Sequence, residues 1–308
     1  MNYSKTLDSQ ARFWQNNPTL LAEIVFVAVV AVWGITFVFT KNALQVIGPF
    51  AYNTLRMTLG AVTLAALVHR DWRRVGVSYV WPAVVTGLIL FLSYASQSYG
   101  QQFTTASKAG FLTGTNVVYV PLLSAVLLRR RPNSTAITGV ILAFAGLFLL
   151  SFEIGNLIFA PGDVWVALSG LGWALYIIAL ARYSPRLDVM IYASLHVLVA
   201  ALLSGVVWLF VEPLTVPVTS AALWIGVITT GFLIIGLGTS VQTWVTRLAS
   251  PTRVGLIAAM EPVFAAVAGW WVGEAITMQV MIGGVLILIG MLVAEAGHLL
   301  RQRASILQ

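Results

Sequence analysis

Three charged side chains, Arg56, Lys108 and Glu261, stand inside or near the ends of long apolar runs. A charge held within hydrocarbon costs several kcal/mol and faces either a cavity or a partner. Arg56 offers a clamp for a substrate anion. Its competing role is a structural pair with a carbonyl or carboxylate, or snorkelling toward the surface. It lies seven residues past Pro49, about 10 Å along a helix. Lys108 is shallower, one turn into its run, with the same two roles open. Glu261 sits near the middle of its run and precedes Pro262, whose ring removes one helix hydrogen bond and frees a carbonyl. A carboxylate beside a helix break can bind an ammonium group or a proton, so Glu261 is the candidate for proton coupling.

Neutral groups extend the chemistry. Tyr94, Gln97 and Gln101 follow helical spacing and share a face. Gln242 lies among Thr239, Thr243 and Thr246 on a second polar face. Such faces either join helices by hydrogen bonds or line water. Trp33 and Trp173 stand in mid-run rather than at run ends, where indoles form interfacial belts. They are placed to stack on a substrate or to pack. His196, alone among apolar neighbours, is a proton carrier or a core hydrogen-bonder. The candidate substrate-binding set is therefore Trp33, Arg56, Tyr94, Gln97, Lys108, Trp173, His196, Gln242 and Glu261. No catalytic set accompanies it. Three scattered histidines give no metal-ligand spacing, and the absence of cysteine removes thiolate sites and disulfides. No phosphate loop occurs, so neither a cofactor nor ATP drive is expected.

The elements that carry these residues follow from composition. Of 308 residues, 59% are hydrophobic and 9% charged, with mean hydropathy +0.91. A water-facing surface needs about 25% charged residues, so a soluble enzyme is excluded and the chain belongs in a bilayer. At about 20 residues per membrane helix, ten spans account for most of its length. Apolar runs place them near 20–41, 49–68, 79–99, 104–128, 135–152, 163–182, 188–210, 220–244, 252–272 and 278–298. Turn signals separate them at Gly48-Pro49, Arg131-Pro132-Asn133, Ala160-Pro161-Gly162, Ser184-Pro185, Glu212-Pro213 and Ser250-Pro251. With both termini in the cytoplasm, all 17 basic residues except Lys41, Arg56 and Lys108 fall in cytoplasmic segments. Glu153, Asp163, Glu212 and Glu274 fall outside. That placement of the net +7 charge accounts for it without nucleic acid. The expected partners are the lipid bilayer and a small-molecule substrate, and the expected state is a monomer or weak dimer.

The chain also repeats itself. A shift of 145 aligns Gln97 with Gln242, Lys108 with Arg253, and Gly110 with Gly255. A shift of 140 aligns Trp33 with Trp173, Tyr52 with Tyr192, and Arg56 with His196. Glycines seven apart recur as Gly139/Gly146 and Gly283/Gly290. Five spans per half is odd, so the second half enters the membrane in the opposite sense. The expected organisation is a cytoplasmic tail at 1–19, five-helix repeats at 20–152 and 153–298, and a cytoplasmic tail at 299–308. Gly231, Gly236 and Gly238 mark a bending region in helix eight.

At these residues the sequence resembles the drug/metabolite transporter superfamily, in its EamA-type branch. The resemblance is carried by Trp33-Gly34, Arg56, residues 104–114, Ser250-Pro251-Thr252-Arg253, Glu261-Pro262-Val263-Phe264 and Gly273-Glu274. It departs where Arg129 answers Gly273-Glu274 in the other half, and at Lys108, where many relatives carry an uncharged residue. The resemblance implies ten helices in two inverted five-helix repeats. It also implies a central cavity lined mainly by helices one, three, four, six, eight and nine, and export of small metabolites such as amino acids. Together with the basic intramembrane balance, the expected function is alternating-access export of a zwitterion or anion across the cytoplasmic (inner) membrane. The alternatives are efflux of lipophilic cations or drugs, and a non-transporting membrane protein such as a lipid-linked enzyme or sensor.

Overall fold

The computed structural model of the protein describes residues 17–104, 106–151, 160–271 and 277–306. Lys5, Arg12, Thr105, Glu153, Gly273 and Glu274 lie outside the described residues. Among those described, all regular structure is helical and forms ten spans. The first five are α1 (Pro18–Ala43), α2 (Pro49–Leu67), α3 (Val77–Gln101), α4 in two pieces (Ala106–Gly114 and Asn116–Leu127) and α5 (Ser134–Ser151). The second five are α6 (Asp163–Tyr183), α7 (Val189–Val211), α8 (Ala221–Ile228, Thr229–Gly238 and Thr239–Leu248), α9 (Pro251–Ala258 and Glu261–Trp271) and α10 (Met278–Ile306). Six of these stretches are long and apolar enough to cross a membrane unaided, and α5 and α10 contain shorter apolar segments. Polar residues such as Asn53 and Arg56 set α2 below that measure, and a break does so for α9.

Local chemistry sets the helix starts. Prolines open α1, α2 and α9, where a missing N–H costs nothing. Asp188 accepts from the backbone of Met190 and Ile191 to open α7, and Ser220 and Ser250 do the same for α8 and α9. The first turn of α2 is capped from a distance: Glu212, at the end of α7, accepts from Phe50 N at 2.9 Å and Ala51 N at 2.8 Å.

The same pairs of helices pack when the two halves are exchanged. Helix α5 lies along α10 and α2 along α7; α3 packs on α6 and α7 as α8 packs on α1 and α2. Particular contacts repeat between the halves, 140 residues apart on α2 and α7 and 144 apart on α3 and α8. Gly87 of α3 faces the His196 carbonyl and Val199 of α7, and Gly231 of α8 faces the Arg56 carbonyl and Leu59 of α2. Tyr192 Oη meets Thr86 Oγ1 at 2.5 Å, and Tyr52 Oη meets Thr230 Oγ1 at 3.0 Å. Direction is fixed by the glycine pairs: Gly139 abuts Gly290 while Gly146 abuts Gly283, so α5 and α10 run antiparallel. Equivalent helices of the two halves therefore point in opposite senses. The chain is an all-α membrane protein of two inverted five-helix repeats. Its outer face presents apolar side chains to lipid, among them Val62, Ile141, Leu202 and Phe210.

Three features differ from the continuous helices expected of the sequence. Helix α4 breaks at Thr115, where the sequence offers no proline, and α9 breaks at Ala259-Met260, just ahead of the Glu261-Pro262 position that the sequence marks. The glycine-rich bend of α8 takes a specific form, a π-helical stretch over Thr229–Gly238. Helix α10 continues beyond residue 298 to Ile306.

Candidate functional site

Helix α2 carries Arg56 to the centre of the bundle, 3% exposed. Its Nε and Nη2 donate to Asn53 Oδ1 at 3.0 and 2.6 Å, and Nη2 donates to Ser98 Oγ at 3.0 Å. Asn53 is itself fixed, donating to the Tyr94 carbonyl at 3.2 Å and accepting from Ser98 Oγ at 3.0 Å. The guanidinium carbon lies 4.7 Å from the Tyr52 ring centroid and 4.3 Å from that of Tyr94. Neutral oxygens and ring faces thus hold the cation, each contact worth about 0.5–2 kcal/mol. Among the described residues no carboxylate lies within 4.0 Å of it. Its positive charge is oriented but not neutralised.

Arg56 borders a small cavity of about 60 Å³ between the two halves. The other walls come from α1 (Trp33, Thr36, Phe37, Thr40), α3 (Leu90, Tyr94, Gln101) and α4 (Thr113, Asn116). Helices α6 (Trp173, Tyr176, Ile177), α8 (Thr230, Ile234, Thr239, Gln242) and α9 (Ala258, Glu261) complete it. These are the six helices the resemblance implies, with Arg56 added from α2.

The helix breaks explain how polar groups reach this depth. Asn116 opens the second piece of α4 and Glu261 the second piece of α9, and the two stand 145 residues apart. They are repeat mates. At Glu261 the following Pro262 sits in a first helical turn, where its missing N–H is tolerated. Trp33 and Trp173, also repeat mates, flank them. Trp173 meets Tyr94 edge to face with ring centroids 4.7 Å apart, and Trp33 meets Phe26 at 5.6 Å. Both indole Nε1 atoms and Asn116 Oδ1 are buried without a hydrogen-bond partner. Such unsatisfied groups are rare in native interiors and cost about 1–3 kcal/mol each. Two donors and one acceptor therefore stand without partners in the cavity walls, beside one cation and one carboxyl group.

Six of the nine sequence candidates line this space: Trp33, Arg56, Tyr94, Trp173, Gln242 and Glu261. Gln97 stands behind it, donating to Thr113 Oγ1 at 3.2 Å. His196 is fully buried, with Nε2 2.9 Å from Tyr176 Oη and its ring against Tyr192. It touches the cavity only through Tyr176. Lys108 lies toward one end of the molecule, 3.9 Å from Asp163. Sequence reasoning missed Asn53, Asn116 and Tyr176. The 145 shift that paired Gln97 with Gln242 also pairs Asn116 with Glu261, and applied to every polar residue it would have found Asn116. Nothing in the spacing marks Asn53 as the anchor of Arg56 except its place one turn earlier. Among the described residues no cluster of His, Cys, Asp and Glu is able to hold a metal.

Comparison with known proteins places this arrangement. A transporter of Archaeoglobus fulgidus described as uncharacterized is 28% identical over 247 residues, covering 80% of this chain and 76% of its own. The uncharacterized transporter YoaV of Bacillus subtilis is 24% identical over 276 residues, covering 86% and 93%. A protein of known crystal structure shares the fold with a TM-score of 0.75 at 23% identity, covering 89% of this chain and 95% of its own. The profile of the EamA-like transporter family matches residues 20–152 and residues 160–295, the two halves whose inverted packing encloses the cavity. The chain belongs to the EamA-like transporter family.

Proposed function

We propose that this protein exports a small zwitterionic or anionic metabolite, in the manner of an amino acid, across the cytoplasmic membrane by alternating access. The observation that carries this reading is the buried Arg56, oriented by Asn53 and Ser98 with no carboxylate in ion-pair distance among the described residues. A substrate carboxylate supplies the missing charge. Glu261 receives an ammonium group or a proton on the opposite repeat, and Asn116 Oδ1 adds a second acceptor. Trp33, Tyr94 and Trp173 enclose the side chain, the indole Nε1 atoms donating to substrate oxygens. Gln242 lines the same wall, and Gln97 steadies Thr113. His196 acts as a buried hydrogen-bonder behind Tyr176, and Lys108 acts at one mouth rather than in the pocket. Uncompensated Arg56 opposes a lipophilic cation at the same place.

Both termini are assigned to the cytoplasm, from the distribution of arginine and lysine. The test is a thermal-shift screen of the purified protein against amino acids, organic anions and organic cations, since a ligand that binds only the folded state raises its stability. Compounds carrying a carboxylate are expected to raise the unfolding temperature, and the rise is expected to vanish in Arg56→Gln. Stabilisation by organic cations alone, or an equal rise in the variant, overturns the assignment.

A further inference from the structure

Two ion pairs stand at opposite ends of the cavity. At one, Arg253 Nη2 meets Glu23 Oε2 at 2.6 Å, with side chains 11% and 9% exposed. At the other, Lys108 Nζ lies 3.9 Å from Asp163 Oδ2, with side chains 16% and 7% exposed. Glu23 and Asp163 are 140 residues apart, and Lys108 and Arg253 are 145 apart. These are the two offsets that relate the halves. In each pair the acid lies in the first turns of the first helix of one repeat, α1 or α6. The base lies in the first turn of the fourth helix of the other repeat, α9 or α4. Each pair therefore joins the two halves, once per membrane face: α1 and α9 begin at one face, α4 and α6 at the other.

We propose that Glu23–Arg253 and Lys108–Asp163 are gate pairs, made and broken alternately as the transporter exposes its site to one face and then the other. This rests on the transport reading above. The pairs are symmetric in sequence and unequal in geometry. The first is a charge-assisted hydrogen bond; the second exceeds hydrogen-bond distance. The cavity has the same asymmetry. Its lining reaches Thr40 and Gln101, in the last turns of α1 and α3, which is the face of the longer pair. Toward the shorter pair it is closed by the packed side chains of Ala22, Phe26, Val30, Val254 and Ile257. In an inverted repeat the halves exchange conformations between states. The exchanged state has Lys108–Asp163 closed and Glu23–Arg253 parted.

The outer pair is built to re-form. Asp163 is held by Thr104 Oγ1 at 2.5 Å and Ala160 N at 2.8 Å, so its carboxylate keeps its place while Lys108 moves. Lys41, near the end of α1, donates to the carbonyls of Gln101 at 2.7 Å and Thr104 at 2.9 Å, tying that helix to the segment that leads into α4.

The chain has no cysteine, so a single introduced thiol reports access cleanly. Phe37 lines the cavity on α1 and is partly buried. In membrane vesicles, Phe37→Cys is labelled with a membrane-impermeant maleimide applied from the face where α1 ends. Glu23→Gln frees the first gate and is expected to slow labelling about fivefold, the factor that a bias of about one hydrogen bond gives a two-state equilibrium. Asp163→Asn is expected to act in the opposite sense. The charge exchange Glu23→Arg with Arg253→Glu is expected to restore the parent rate, and Arg253→Glu alone to slow it, which keeps the test valid if Glu23→Gln folds poorly. Rates unchanged in all variants, or moved in the same direction by Glu23→Gln and Asp163→Asn, overturn the proposal. Labelling is read without ligand, so a failed ligand screen leaves this test standing, and unchanged labelling leaves the ligand screen standing.

Discussion

Arg56 concentrates the chemistry of this protein because its partners are neutral. Its guanidinium donates three hydrogen bonds, and a single oxygen, Asn53 Oδ1, accepts two of them. Asn53→Ala is therefore expected to loosen the cation without removing it. The folded state should lose about 1–3 kcal/mol for the unsatisfied buried group, read as a lower unfolding temperature, while ligand affinity falls but persists. Trp173→Phe separates binding from packing. Its Nε1 has no partner in the empty protein, so stability should change by less than about 0.5 kcal/mol, whereas ligand affinity should fall severalfold, measured by titration calorimetry. Glu261→Gln keeps the shape and removes the charge. An imposed pH gradient is expected to change flux through the parent protein and to have no effect on this variant. Much of this site was legible in the sequence, since Arg56 and Glu261 stand out as charges in apolar runs. Asn116 was not, because a neutral amide gives no such signal, and the helix break that delivers it lies among ordinary residues at Thr115.

Helices were legible as lengths and not as shapes. Apart from the far end of α10, the ten apolar runs lie within a few residues of the observed spans, since both hydropathy and turn chemistry mark the ends. The break in α4 leaves no trace in hydropathy, whereas the break in α9 is marked by Pro262. Glycine was the better guide, because close approach leaves a compositional trace. A side chain at Gly231 would meet the Arg56 carbonyl at 2.8 Å, and one at Gly87 would meet the His196 carbonyl at 2.6 Å. Gly231→Leu and Gly87→Leu are thus equivalent insults on opposite sides of the pseudo-twofold. Each is expected to lower stability by about 1–3 kcal/mol through overpacking, measured by thermal unfolding in detergent. Gly231→Leu, which pushes on the backbone of Arg56, should also weaken ligand binding, and Gly87→Leu should not.

At the scale of the molecule, the inversion sets the pocket between two halves that point in opposite senses. The duplication was visible as two offsets, 140 and 145; the two ion pairs repeat both, and the glycine contacts and Tyr–Thr bonds repeat 140 on one partner and 144 on the other. Inverted repeats suit alternating access, in which the halves exchange conformations and a ligand held midway passes between faces, and the proposed function has this molecule work in that way. Which ligand it is was not legible, because one cation, one carboxyl group and several aromatic rings define a chemical class rather than a compound. The most direct test is counterflow of the best-stabilising ligand in reconstituted vesicles. We predict saturable exchange that Arg56→Gln abolishes while leaving the protein folded. Exchange no faster than in protein-free vesicles, or undiminished in the variant, would contradict the account.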